Sequence, residues 1–274
     1  DINAFKSESY VRNKLKAISE NIKFRGPDDY GCWLDLENGV GIAHRRLSIQ
    51  DLSQYGHQPM HSYTERYVIA FNGEIYNHLS LRKELEKINS TGIAWRGSSD
   101  TETLLELFEY FGISKTLHKL KGMFSIALWD RFEKCIYLIR DRFGEKPLYF
   151  GFGDFYENSD EKTFIFGSDL NPLKNSSKNN FALNEMAIFE YFKYGYISPP
   201  LSIFKDINQL SPGHLIKIKF CDKNKYEKKI IPSQSEWYSP QKKSLLVSKI
   251  QDPHNELEDI EALDKKLSAS VKEQ

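Results

Sequence analysis

Four short segments concentrate side chains that bind or polarise small molecules: Arg25-Gly-Pro-Asp-Asp29, His44-Arg-Arg-Leu-Ser-Ile49, Phe71-Asn-Gly-Glu-Ile-Tyr-Asn77 and Gly97-Ser-Ser-Asp100. Each has a plain structural reading. Arg-Gly-Pro-Asp is ordinary turn chemistry, because proline presets φ and aspartate bonds its own backbone. Leu47 and Ile49 alternate as in a strand, and the arginines beside them suit a solvated face. Asn72-Gly73 after an apolar run is a hairpin signal, although Glu74 to Asn77 leads into helical spacing instead of a return strand. Asp100 in the first turn of a helix is favoured by the helix dipole alone. Nucleophilic chemistry needs a thiol or hydroxyl beside a base, and the cysteines are Cys32, Cys135 and Cys221. Cys32 lacks the Gly-x-Cys-x-Gly elbow of triad-type hydrolases, so a Cys–His pair of Cys32 with His44 or His57 stands only as a rival reading. The seven histidines show no metal spacing, and no zinc site is expected.

The elements around these segments mix strands and helices. Tyr67 to Phe71 is β-prone, and Asn77 suits the N-cap of a helix carrying Leu81, Leu85 and Ile88. Ser99-Asp-Thr-Glu102 has capping-box form ahead of the stripe Leu104, Leu105, Phe108 and Phe111. Phe124–Trp129 and Cys135–Ile139 read as a hairpin, followed by strands near 147–152, 163–166 and 214–220 and a helix over 183–194. Hairpins with helices between them point to an α+β layer architecture and away from an alternating doubly wound sheet. The stretch 222–251 is lysine-rich and reads as a connector. From Glu256 on, Ile260, Leu263, Leu267 and Val271 recur at helical spacing, a lone amphipathic helix that makes no core of its own.

Composition removes several function classes. Lys+Arg and Asp+Glu are each 38 in 274 residues, so no net positive field invites nucleic acid or anionic lipid. Apolar residues at 40% and aromatics at 14% fit a folded domain with a sizeable core. No run approaches a membrane span, and the charged start is no signal peptide. Three scattered cysteines without a CxxC pair imply a reducing, cytoplasmic setting.

In order and together, the four segments resemble the glutaminase domain of glutamine-hydrolysing asparagine synthetases. The likeness continues through Gly122-Met-Phe-Ser-Ile-Ala-Leu-Trp-Asp130, Arg140-Asp-Arg-Phe-Gly-Glu-Lys-Pro-Leu-Tyr149, Phe166-Gly-Ser-Asp169 and Ile203 to His214. Phe24 departs from a histidine common before Arg-Gly-Pro-Asp, and the insert around Trp95–Ser98 is slightly long, which leaves Ser98 versus Ser99 open. The resemblance implies an N-terminal-nucleophile hydrolase fold, a four-layer αββα sandwich of two antiparallel sheets. It implies a class II amidotransferase domain over 1–220, a connector over 221–251, and over 252–274 the first helix of an incomplete synthetase domain.

The resemblance also implies roles. Arg46 would hold the α-carboxylate of glutamine, with Leu47, Ser48, Ile49 and Gln50 continuing a glutamine-lining strand. Asp100 would take the α-ammonium and Glu74 a further polar contact. The Asn72 amide and the Gly73 N–H would form the oxyanion hole, where glycine permits close approach. The family's nucleophile is an N-terminal cysteine whose own α-amine carries the proton. Asp1 cannot supply that thiol, so the chain as written is expected to be inactive in glutamine hydrolysis, with truncation at both edges. Expected partners are L-glutamine and, for the whole enzyme, aspartate, with a homodimer possible and no nucleic acid or membrane. No cofactor is expected in this chain; ATP and Mg are implied for the missing synthetase domain. Alternatives are a relative that amidates another carboxylate such as a sugar acid, and a non-catalytic glutamine-binding module.

Overall fold

The computed structural model describes residues 7–89, 92–156, 162–177, 181–222, 228–240 and 256–273. Asp1 and about half of the expected connector lie outside the described residues. The chain opens with helix α1 (Glu8–Ser19) and hairpin β1 (Asp29–Asp35) and β2 (Val40–Arg46). Next come β3 (Met60–His61), β4 (Tyr67–Ile75), α2 (His78–Ile88), α3 (Asp100–Lys119), β5 (Gly122–Asp130) and β6 (Cys135–Arg140). The remainder is β7 (Tyr149–Gly153), β8 (Thr163–Gly167), α4 (Leu170–Ser176), α5 (Glu185–Tyr194), β9 (Ile207–Gln209), β10 (His214–Asp222), β11 (Lys228–Glu236) and α6 (Glu256–Glu273).

A six-stranded sheet in the order β11-β10-β6-β5-β4-β3 lies at the centre, with every pair antiparallel. Period-two alternation divides its strands between two cores. On β4, Tyr67, Ile69, Phe71 and Ile75 pack with Leu81 and Leu85 of α2 and Leu104, Leu105, Leu107 and Phe108 of α3. Val68 and Ala70, facing the other way, join Val40 and Ile42 of β2 with Phe150, Phe164 and Phe166 of β7 and β8. Under β7–β9, Leu170 and Leu173 of α4 meet Ile165 and Ile207. Helix, sheet, sheet and helix therefore stack as an α+β αββα sandwich. Each large apolar side chain sealed between layers contributes roughly 1.5–3 kcal/mol.

Several expectations change in detail. Asn77 does sit at the N-cap of α2, yet its side chain makes no cap bond. It receives Lys121 N–H at 2.9 Å and donates to Lys119 O at 3.0 Å, tying α2 to the start of β5. Ser99 caps α3 by accepting from Glu102 N–H at 3.2 Å. The Glu102 carboxylate turns instead to the N–H groups of Arg96 and Gly97, at 2.8 and 3.0 Å. Part of the expected connector is strand β11, which pairs with β10 along its length. Lysines and Pro232 hid it, and both are normal on an edge strand. The strand expected through Leu47–Gln50 ends at Arg46, and Leu47 and Ile49 are exposed in a loop. Helix α6 forms as expected, with Ile260, Leu263, Leu267 and Val271 all exposed.

Candidate active site at the open edge of strand β4

The sheet loses its edge partner in the middle of β4. β3 is two residues long and pairs only with Val68 and Ile69. Beyond that point the backbone groups of β4 that face away from β5 need other partners, because unpaired buried amides are costly. Side chains supply them. Gln58 Oε1 accepts the Phe71 N–H at 2.7 Å, His44 Nε2 meets Phe71 O at 3.2 Å, and Asp100 Oδ2 accepts the Ile75 N–H at 2.9 Å. Between them stands Gly73, in unbroken register opposite Phe124. N–H groups alternate edges along an antiparallel strand. The Gly73 N–H therefore points out of the same open edge as those of Phe71 and Ile75.

Around this edge hydrogen bonds join all four motif segments. The Asp28 N–H donates to Arg46 O at 3.0 Å, and its carboxylate accepts Ser48 N–H at 2.7 Å. Gln50 Nε2 donates to Glu74 Oε1 at 2.8 Å, joining the loop after β2 to β4. Asp51 holds Ser53 N–H at 2.8 Å and Ser98 N–H at 2.9 Å, so the same loop grips the segment before α3. Ser98 thus braces the loop while Ser99 caps the helix. The Arg46 guanidinium lies over Gly56, donating to Asp51 O and to Ser53 O at 3.1 Å. A Cβ at residue 56 would drive into that guanidinium, which is why glycine stands there. Two of the five guanidinium donors are engaged with these carbonyls.

Asn72 and Glu74 share the face of β4 that carries Val68 and Ala70, at the rim where the second sheet's loop arrives. The Asn72 backbone pairs with Ser125 of β5, while its carboxamide makes no hydrogen bond among the described residues. Glycine at 73 also has a packing reason: a Cβ there would strike Met123 O and the Phe124 backbone of β5. Asp100 is 6% exposed. Burial pushes its carboxyl up to about 6, the Glu74 carboxylate adds to the rise, and the Ile75 N–H opposes it. Burial likewise pushes His44 down to about 4. The site thus offers a partly engaged guanidinium, a free carboxamide, an outward N–H and two neighbouring carboxylates. Such a set can hold a small zwitterion and polarise a carbonyl.

Asp28, Asp51 and Gln58 brace this arrangement without having been singled out individually. Asp28 and Asp51 lie in or beside motif segments, a usable signal. For Gln58 there is none, since its role depends on where β3 stops.

The rival Cys–His pair does not form. Cys32 faces Tyr30 and Arg12, with burial pushing its thiol up, while His44, opposite Gly31, turns to Phe71 on β4 and His57 Nδ1 meets Asp29 Oδ2 at 2.7 Å. Cys135 is buried at the start of β6. Among the described residues no three His, Cys, Asp or Glu side chains are placed to hold a metal. No helix there is long and apolar enough to cross a membrane.

The family model and the curated relatives agree on one family. Residues 2–229 match the model of the glutamine amidotransferase domain. Asparagine synthetase [glutamine-hydrolyzing] 1 of Bacillus subtilis (strain 168) is 33% identical over 205 residues, covering 75% of this chain and 30% of that protein. A putative asparagine synthetase [glutamine-hydrolyzing] 2 of Methanocaldococcus jannaschii is 32% identical over 220 residues, covering 73% of this chain and 40% of that protein. Among solved structures, the glutamine phosphoribosylpyrophosphate amidotransferase of B. subtilis matches at TM-score 0.48 and 18% identity, over 74% of this chain and 37% of that one. The chain spans about a third of the length of the curated relatives it matches. It belongs to the glutamine amidotransferase domain family, as a class II domain of the asparagine synthetase type.

Proposed function

We propose that the open edge of β4 binds L-glutamine and positions its side-chain amide for release of ammonia. The observation that carries this reading is the hydrogen-bonded union of four separate motif segments around one strand edge. Glutamine presents a carboxylate, an ammonium and a carboxamide. Arg46 has donors beyond those engaged by Asp51 O and Ser53 O, and a guanidinium fork suits the carboxylate. Glu74 lies close enough to raise the proton affinity of Asp100. An ammonium between the two would relieve that repulsion and draw Asp100 into its charged form. Asn72 and the Gly73 N–H would receive the carboxamide oxygen as it gains charge, each donor worth roughly 3 kcal/mol of barrier. Ser48, Ile49 and Gln50, in a loop braced by Asp28 and Glu74, would close over the ligand, with Leu47 beside them.

The attacking thiolate is assigned to an N-terminal cysteine of the family type, because Cys32 and Cys135 both stand away from the Asn72–Gly73 edge. The amide C–N bond would break as the C–S bond forms, the amine-borne proton would leave with ammonia, and water would clear the thioester. Aspartate as acceptor, with a sugar acid or another carboxylate as the alternative, is proposed for the remaining length that the relatives have. ATP and Mg go with that same remaining length. In the full-length gene product, Arg46→Ala should abolish glutamine-dependent amidation while added ammonia still supports it. Equal loss with both nitrogen donors would make Arg46 a structural residue and remove the reading.

A further inference from the structure

Phe71 has an unusual backbone environment for a residue in mid-strand. Its N–H and C=O both face the edge that β3 has abandoned, and both are taken by side chains from other parts of the fold. Gln58 accepts the N–H at 2.7 Å through Oε1. Its Nε2 reaches on to Thr101 Oγ1 at 3.3 Å, in the first turn of α3 beside Asp100. His44, from β2 of the β1–β2 hairpin, meets the carbonyl at 3.2 Å through Nε2. A carbonyl only accepts, so this contact requires the proton on Nε2. His44 Nδ1 is buried and has no partner among the described residues, so no second contact there competes for the tautomer. Asp29, Arg46 and His57 are the charged or titratable groups that act on this ring.

We propose that His44 and Gln58 are positioning residues that clamp both backbone groups of Phe71, replacing the missing sheet partner and fixing the direction of the Gly73 N–H two residues on. The inference rests on the reading of that N–H as an oxyanion donor. It adds that the hole's geometry is set from outside β4, by one side chain from β2 and one from the loop before β3. Asp100 does the same at Ile75, so the Gly73 peptide is fixed on both sides while its own N–H stays aimed outward. Gln58 further couples the donor edge to the Asp100 end of the site through Thr101. Without the clamp, β4 would remain paired to β5 but would be free to twist at its open edge.

The test is amide-resolved NMR on the full chain, reading hydrogen exchange at Phe71 and the response of the Gly73 amide to added L-glutamine. Gln58→Leu should speed exchange at Phe71 at least tenfold. Both Gln58→Leu and His44→Leu should cut the glutamine-induced shift at Gly73 to less than half. His44→Gln, whose Nε2 can occupy nearly the same place as the ring Nε2, should restore it. A merely structural role would lower the melting temperature of both leucine variants yet leave the Gly73 response of the folded protein intact. Phe71 exchange within twofold of wild type in Gln58→Leu, or full Gly73 shifts in both leucine variants, would overturn the clamp. If wild type shows no glutamine response but Gln58→Leu speeds Phe71 exchange at least tenfold and both leucine variants move the unliganded Gly73 amide resonance, the clamp stands and the glutamine reading falls. Should a leucine variant not fold, His44→Asn and Gln58→Asn, too short to span the gap, replace it with the same expected outcomes.

Discussion

Two aspartates sit at opposite ends of the same short stretch of sheet, and they are used differently. Asp141, after β6, is fully buried, and its carboxylate accepts the N–H groups of Phe124, Phe143, Glu145 and Lys146 at 2.9–3.2 Å. Asp100, at the start of α3, is nearly as buried. It has one long-range backbone donor, Ile75, and local contacts with Thr101, beside a second carboxylate at Glu74. Buried carboxylates are tolerated when their lone pairs are filled. Asp141 meets that condition from within the fold and serves as a fastener for the 141–146 turn. Asp100 meets it in part, and its raised proton affinity expresses the remainder. Burial alone does not mark a functional carboxylate; burial with unfilled acceptor capacity beside a like charge does.

The contrast is tested most harshly at the fastener. Asp141→Ala leaves four backbone N–H groups without their acceptor and should cost about 3–5 kcal/mol by urea unfolding; a loss under about 1 kcal/mol would erase the distinction. Next, Arg46→Ala should weaken glutamine binding by about 100-fold in calorimetry, with Arg46→Lys failing to recover it because a point charge cannot reproduce the fork. Asp100→Asn should weaken binding at least tenfold at pH 7.5 while leaving the fold intact.

Asp100 also has a pH signature with a definite sign. Its folded value is raised to about 6, above an unfolded value of about 3.9, so between those values the folded chain holds more protons. Its contribution to stability is therefore greatest below pH 4 and is lost as pH rises through about 6, by on the order of 3 kcal/mol. Asp100→Asn should lack that slope, so that it appears in the difference between the stabilities of wild type and variant across pH. The smallest expected effect is at Cys32, where Cys32→Ser should change glutamine affinity by less than about threefold. A large loss there would revive the Cys–His reading.

Much of the layer architecture was legible because alternation and helical stripes survive in the sequence. The stripe Leu104, Leu105 and Phe108 does bury against β4, and Phe124–Trp129 with Cys135–Ile139 do form a hairpin. What escaped depends on tertiary context. β11 reads as polar because an edge strand can be polar, and α1, with only Val11 and Ser19 buried, lacks a strong stripe. The site segments were legible as motifs, but the packing constraint on glycine at 73 was not, since it lies in the approach of β5. Nor was the task of Gln58, which follows from where β3 ends.

The central claim, that the open edge of β4 reads glutamine by both its charged ends, is tested most directly by titrating the chain with L-glutamine and with glutaramic acid, which lacks the α-ammonium, at pH 7.5 and pH 5. The account predicts saturable glutamine binding at pH 7.5, at least tenfold weaker at pH 5 as Asp100 takes up a proton, and far weaker binding of glutaramic acid at pH 7.5. Equal affinity for the two ligands, or no glutamine binding at either pH, would contradict it.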